Sequence, residues 1–350
     1  MVNNLEKQLQ QKTLESGNFD FQGFCLQAFR QGKKICDLRQ GKTYEFYDIA
    51  SLTKIVFTTS VFIKLVEDGE LTLKTSVKKL LPWYKYPGVK IGELLNHSAG
   101  NEWWQAFYKD IDPKLSIEER YTQLQIFIRS APIKRRRKTV YSDIDFYLLG
   151  AILEKIFNKP LLWIWKDYKS TLMPRSEFHF NDNNRSERPL KMYAPTEICP
   201  WRNKVMRGEV HDENAWAMGG VAPHAGLFGR IEDLSSWGLE LRKMWLGKSS
   251  FVKASSLRPF VSRSLPTSRG DWGYGFMIPS PKSSSAGSLL SKKSFGHTGF
   301  TGTSLWYDPT RDLLVCLLSN RVHPSRKNQG FIRLRPQLHD WIVQYLEGKR

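Results

Sequence analysis

The sequence predicts an α/β fold of the α+β kind, an antiparallel β-sheet flanked by helices and joined to a mostly helical lobe. Three observations carry that expectation. Short strand-like segments broken by glycines fill residues 21–47, a strand pair with a turn recurs at 295–320, and the stretch between them reads as helices and long loops. The division follows from this alternation: an α/β lobe over about 1–69 and 231–350, a helical and loop lobe over about 70–230, and one domain across 1–350.

Taken in order, residues 3–16 read as a polar amphipathic helix. Phe21 to Phe29, Lys34 to Leu38 and Tyr44 to Tyr47 follow as short antiparallel strands with turns at Gly32 and Gly41. Ser51-Leu52-Thr53-Lys54 then opens a helix that buries Ile55, Val56, Phe57, Val61, Phe62, Leu65 and Val66 and ends near Gly69. Leu73 to Leu81 is a short segment closed by Pro82, and Gly92 to Gly100 is a helix turn running into a Ser/Gly loop. His97, at that helix end, suits a structural cap better than a ligand or base.

Tyr141-Ser142-Asp143 opens another helix, with Ser142 or Asp143 as N-cap and Phe146, Leu148, Leu149, Ile152, Leu153 and Ile156 as its buried face. Residues 181–230 form a long polar stretch whose Gly and His content suggests an ordered, close-packed loop. A helix follows at about 231–246, and the Ser-rich residues 279–293 read as a mobile surface loop. Phe295 to Tyr307 and Leu313 to Asn320 make a hairpin around Asp308-Pro309-Thr310-Arg311-Asp312, and a helix at about 334–347 closes the chain.

Composition narrows the partners. The chain is 41% hydrophobic and 25% charged, as soluble globular proteins are, and its twelve Trp and twenty Phe suggest aromatic-lined grooves as well as core. Lys and Arg total 53 against 34 acids, a net charge of +19 that raises encounter rates with anionic partners. No nucleic-acid-binding motif accompanies that charge, so nucleic acid is not expected as a partner. Cys25, Cys36, Cys199 and Cys316 are scattered without a C-x-x-C pair and read as reduced, buried thiols. No signal segment or membrane-length apolar run is present, which points to a cytoplasmic protein without a membrane partner. The oligomeric state is not legible.

The chemistry centres on Ser51 and Lys54. A three-residue step places both on one helix face, and a buried lysine whose pKa is lowered by desolvation can take the proton of a serine. Alone, Ser-x-x-Lys is more often a helix cap followed by a solvated lysine. Tyr141, just ahead of a cap, is placed on a loop where a nearby ammonium would lower its pKa and let it shuttle protons. Lys134-Arg135-Arg136-Arg137-Lys138 ends shortly before it, and could steer an anionic substrate or simply be a solvated loop. His211, Asp212 and His224 in the long polar stretch could bind a metal, but two histidines with one carboxylate make a thin ligand set, and substrate contact is preferred. No metal or cofactor is expected.

Three elements now stand in order: Ser51-Leu52-Thr53-Lys54, Tyr141-Ser142-Asp143 and His297-Thr298-Gly299. Together they resemble the serine β-lactamase and penicillin-binding protein superfamily, whose signatures are Ser-x-x-Lys, Ser/Tyr-x-Asn and Lys-Thr-Gly. The tyrosine makes the chain similar to the class C β-lactamase, D,D-carboxypeptidase and esterase branch, over about residues 20–345. The resemblance implies a β-lactamase/transpeptidase-like fold with Ser51 as acylated nucleophile and Lys54 and Tyr141 as a proton-relay pair. It also implies an oxyanion hole at the N–H groups of Ser51 and Phe300, and a substrate-holding wall at His297, Thr298 and Gly299.

Two positions depart from the pattern. Asp143 stands where Asn is usual and would keep Lys54 protonated longer. His297 stands where Lys is usual and removes a permanent cation that holds a substrate carboxylate. Both argue against efficient β-lactam hydrolysis. Ala194-Pro195-Thr196-Glu197, Gly208 to Ala215, His224 to Phe228 and Gly296 to Thr303 look most like the N-acetylmuramyl-L-alanine amidases of muropeptide recycling. That implies a small anionic peptidoglycan-derived substrate; an esterase, a D,D-peptidase, a weak β-lactamase or a non-catalytic binder of wall fragments are the alternatives.

Overall fold

In the computed structural model, which describes residues 4–17, 21–112, 114–134 and 138–348, strand segments from the two ends of the chain meet in one five-stranded antiparallel sheet. Its strands are β1 (Gly23–Arg30), β2 (Lys33–Gly41), β3 (Phe295–Thr298), β4 (Ser304–Asp308) and β5 (Leu313–Ser319), in the order β2-β1-β5-β4-β3. β1 lies beside β5 from Phe24 opposite Ser319 to Arg30 opposite Leu313.

Side chains alternate between two cores. Phe24, Leu26 and Ala28 with Leu313, Val315 and Leu317 face one, while Cys25 and Phe29 with Leu314, Cys316 and Leu318 face the other. Both faces are covered, which is why β5 is apolar along nearly its whole length. The helices Asn4–Glu15 and Gly330–Leu346 cover the first face through Leu5, Leu9, Leu334, Leu338 and Ile342. The helix Ile231–Trp245 covers the second through Leu234, Trp237 and Leu241, with the helical lobe beyond. This is the mixed, β-lactamase/transpeptidase-like arrangement that the sequence predicts.

Several local expectations are corrected. Tyr44 to Tyr47 does not extend the first hairpin: only Tyr47–Asp48 is strand, and it joins Leu227–Gly229 and His179–Phe180 in a separate three-stranded sheet. The backbone of Phe46 is taken by Met192 and Ala194, so it cannot pair with β2. The helix after Ser51 opens with a π-helical turn, Lys54–Thr59, before regular α-helix at Ser60–Glu67; such turns concentrate at functional sites. Residues 279–293 are not a free loop. Ala286 and Leu290 are buried in the first core, Asp340 accepts from the N–H groups of Ser288 and Leu289, and Asp308 accepts from Ser291.

The closing helix starts at Gly330, earlier than expected. All four cysteines are buried and free. Among the described residues no helix is long and apolar enough to cross a membrane.

Candidate active site

The turn ahead of Lys54 is held in an unusual shape. Ala50 has φ 48°, a left-handed conformation uncommon for a residue with a side chain. Asp48 stabilises it: Oδ1 accepts from the Ala50 N–H at 2.8 Å and Oδ2 from the His211 N–H at 2.7 Å. The carbonyls of Asp48 and Ile49 accept from the Thr301 and Thr303 hydroxyls at 2.7 and 3.0 Å. The nucleophile turn is thereby tied to the end of β3. Gly299 is required there, because a Cβ would lie 2.0 Å from Thr303 Oγ1 and 2.6 Å from the Ile49 carbonyl.

Ser51 Oγ receives hydrogen bonds from Lys54 Nζ at 3.0 Å and from Tyr141 Oη at 2.8 Å. Lys54 is fully buried; its Nζ also pairs with Asp143 Oδ1 at 2.7 Å and donates to the His224 carbonyl at 3.4 Å. Asp143 opens the helix Asp143–Phe157, whose N-cap is Ser142. The structure thus brings Ser51, Lys54, Tyr141 and Asp143 into one hydrogen-bonded group. Among the described residues neither the Ser51 nor the Phe300 N–H is spent on another backbone acceptor, and both residues line the cleft.

Two electrostatic expectations are overturned. Burial would lower the Lys54 pKa, but the Asp143 carboxylate and the Tyr141 oxygen outweigh it and hold Lys54 above its ordinary value. Burial also raises the Tyr141 phenol, more than the Lys54 charge lowers it. At neutral pH the resting site therefore holds an ammonium and a neutral phenol. The anticipated effect of Asp143 on Lys54 agrees with this.

His297 is buried, and burial beside Lys54 pushes its pKa down to about 3. Its Nδ1 lies 2.8 Å from the Thr298 carbonyl and must carry the proton, which leaves Nε2 as an unpartnered acceptor. The wall formed by His297, Thr298 and Gly299 therefore carries a neutral imidazole where a cation is usual.

His211, Asp212 and His224 all line the cleft. His211 Nε2 lies 3.1 Å from Glu197 Oε2, and its ring stacks on Phe300 at 5.5 Å. Asp212 caps the short helix Glu213–Ala217 and lies 3.2 Å from His224 Nε2. Burial notwithstanding, His224 and the Ala215 N–H hold Asp212 well below the usual carboxylate range. Ligand atoms of Asp143, Asp212 and His224 lie within 4.8 Å of one another. Asp143 Oδ1 pairs with Lys54, and Asp212 Oδ1 faces the His224 Nε2 and the Ala215 N–H, while the buried His224 Nδ1 has no partner among the described residues.

Other residues complete the cleft, whose volume is about 660 Å³. The Tyr141 ring stacks on Trp272 at 5.4 Å and packs against His97 at 4.8 Å. His97 is thus more than a helix cap: its Nδ1 accepts from the Ser142 N–H at 3.2 Å and lies 3.1 Å from Asp145, behind Tyr141. Trp103, Trp104, Arg321, Arg326 and Arg335 line the same space. Only the tryptophan abundance hinted at any of these; the arginines carry no local sequence signal. In the basic run, Arg135 to Arg137 lie outside the described residues, while Lys138 lines a neighbouring hollow that shares Trp272 and Met277 with the cleft.

Comparison with known proteins agrees with this geometry. A family profile described as beta-lactamase matches residues 20–337. A Salmonella gallinarum protein named "Putative D-alanyl-D-alanine carboxypeptidase" is 30% identical over an alignment of 346 residues covering 87% of this chain and 78% of that protein. Among solved structures, the octameric penicillin-binding protein homologue from Pyrococcus abyssi superposes with a TM-score of 0.72 at 20% identity, covering 98% of this chain and 78% of that one. EstA from Arthrobacter nitroguajacolicus gives 0.69 at 15% identity, covering 99% and 98%. These structural likenesses show the fold, and the profile shows the family. The chain belongs to the beta-lactamase family of serine hydrolases.

Proposed function

We propose that this protein hydrolyses an amide bond of an anionic peptidoglycan fragment through an acyl-enzyme on Ser51. The specific reaction is release of the peptide from an N-acetylmuramyl-L-alanine linkage. The observation that carries the reading is Ser51 Oγ within hydrogen-bond reach of both Lys54 Nζ and Tyr141 Oη. Once the Lys54–Tyr141 pair has lost one proton, it takes the Ser51 proton as Oγ attacks the carbonyl. The oxyanion forms between the N–H groups of Ser51 and Phe300. The pair then returns the proton to the leaving amine, and a water activated the same way releases the acyl group. His297, neutral at physiological pH, supplies no cation to hold a carboxylate, which speaks against β-lactam turnover.

Tyr141→Phe tests the relay. It keeps the ring packed against Trp272 and His97 and removes only the oxygen bonded to Ser51. The expected loss in kcat is about 10²–10⁴-fold, with the melting temperature little changed. An unchanged kcat would remove Tyr141 from the mechanism.

The relatives' name supports a second reading, D,D-carboxypeptidase. Mass spectrometry of products from a defined set of muropeptides separates the two. Release of the whole peptide from the sugar acid is the expected result, and release of a terminal D-alanine alone assigns the second reading. Turnover of simple esters with every muropeptide intact would overturn both.

A further inference from the structure

A row of aromatic rings leaves the catalytic cleft and runs onto the surface. Trp103 and Trp104 line the cleft, with ring centres 5.8 Å apart. The row continues from Trp104 to Tyr108 at 6.2 Å, to Trp201 at a further 4.4 Å and to Trp216 at a further 5.3 Å. Its inner end is tied to the catalytic group, because the Trp103 carbonyl accepts from the Asp143 N–H at 3.1 Å.

Separate chain segments build the row, and hydrogen bonds hold its parts in place. The Asn214 side chain accepts from the Tyr108 N–H at 2.9 Å and donates to the Gln105 carbonyl at 2.8 Å. Trp216 donates its indole N–H to Glu209 at 2.8 Å. The Arg202 guanidinium lies over both Trp201 and Trp216, at 5.6 and 5.7 Å, and donates to the Val210 and His211 carbonyls. Yet this framework does not bury its rings: Trp103 is 62% exposed and Trp201 41%. Tryptophans left to water on a prearranged support mark a binding surface.

The chemistry of the row selects its occupant. Among the described residues the indole N–H groups of Trp103, Trp104 and Trp201 make no hydrogen bond, so each ring offers an apolar face and a donor at its edge. A pyranose presents the matching pair, a face of C–H groups and a rim of hydroxyls. Glu209 beside Trp216 and Glu213 beside Tyr108 put carboxylates along the row, which disfavours an anionic bilayer as its occupant. Trp104, Tyr108 and Trp216 are only partly exposed, so a narrow chain reaches them more readily than a flat surface does.

We propose that this row is a glycan subsite, which holds two or more N-acetylated sugar units of the substrate by stacking. In an N-acetylmuramyl-L-alanine linkage the sugar carries the acyl carbon that Ser51 attacks. The sugar chain then enters beside Ser51 and leaves the cleft over Trp103 and Trp104 toward Trp201. That the glycan belongs to a muropeptide rests on the amide-hydrolase reading; the stacking site itself does not.

The test is equilibrium binding of triacetylchitotriose and of N-acetylglucosamine to the full chain, by calorimetry. Both probes are neutral and carry no peptide, so the net positive charge of the chain cannot account for their binding. The trimer is expected to bind about tenfold or more tightly than the single sugar. Trp103→Ala and Trp201→Ala, at exposed side chains, are each expected to weaken the trimer about 3–10-fold. No binding of the trimer, or equal binding of both sugars, by the unaltered protein overturns the proposal, whether or not a variant folds. Trimer binding that survives both substitutions unchanged also overturns it. Binding to phosphatidylglycerol vesicles that either substitution abolishes, without trimer binding, overturns it in favour of a membrane surface. Trimer binding by a protein that cleaves no muropeptide would sink the hydrolase reading alone, and muropeptide cleavage without trimer binding would sink the glycan subsite alone.

Discussion

Replacing Ser51 by alanine is expected to leave the protein folded and to reduce turnover on the order of 10⁶-fold, as loss of a nucleophile does in serine hydrolases. The structure explains why folding survives. Without the hydroxyl, Lys54 Nζ still has Asp143 and the His224 carbonyl, so no buried charge is stranded. A fluorophosphonate should add mass to the parent protein at Ser51 and none to the variant. Retention of the parental rate in Ser51→Ala would remove the acyl-enzyme route entirely.

Asp143→Asn is expected to move the acidic limb of the pH–rate profile downward by about 1–3 units. The sign follows from the ion pair. Asp143 holds the Lys54 proton in place and keeps its pKa above the ordinary 10.5. An amide keeps a hydrogen-bond acceptor but removes the charge, so the lysine releases its proton at lower pH and the reactive form of the relay appears earlier. Below the limb, each unit of movement is about a tenfold gain in kcat/KM.

The same variant should be less stable at neutral pH. A lysine whose pKa is raised on folding contributes stability that is present below the unfolded value and lost as pH rises through the folded one. The variant gives up that contribution, and its melting temperature at pH 7 should fall. A limb that stays where it was would show that Asp143 does not govern the relay.

What the chain disclosed in advance had a local signature. Leu313 to Ser319 is a strand in any reading, because seven residues of that character between turn residues have few alternatives. Ser51, Tyr141 and His297 lie in short motifs, and these act at points where the backbone itself sets the geometry. Arg321 and Arg335 carry no such signature, because a buried arginine and a solvated one look alike until the neighbours are known. The direction of the Lys54 and Tyr141 shifts is not legible in the sequence for a similar reason. Desolvation and pairing oppose each other there, and only the 2.7 Å contact to Asp143 shows that pairing prevails for the lysine. Tyr44 to Tyr47 has strand character, but its partner lies in a segment far along the chain that local pattern cannot select.

The place of β1 between β2 and β5 has a consequence for how the protein is made. Phe24 pairs with Ser319, so the inner edge of the first hairpin has no partner until Leu313–Ser319 has been synthesised. At about 5–20 residues per second, translation leaves that edge waiting on the order of 15–60 s. During that interval an apolar strand with unpaired backbone groups is exposed to other nascent chains. Emergence of Leu313–Ser319 from the ribosome, rather than of any earlier strand, is then the event that completes the sheet. Truncation shortly before Leu313 should yield aggregates in place of a smaller soluble protein.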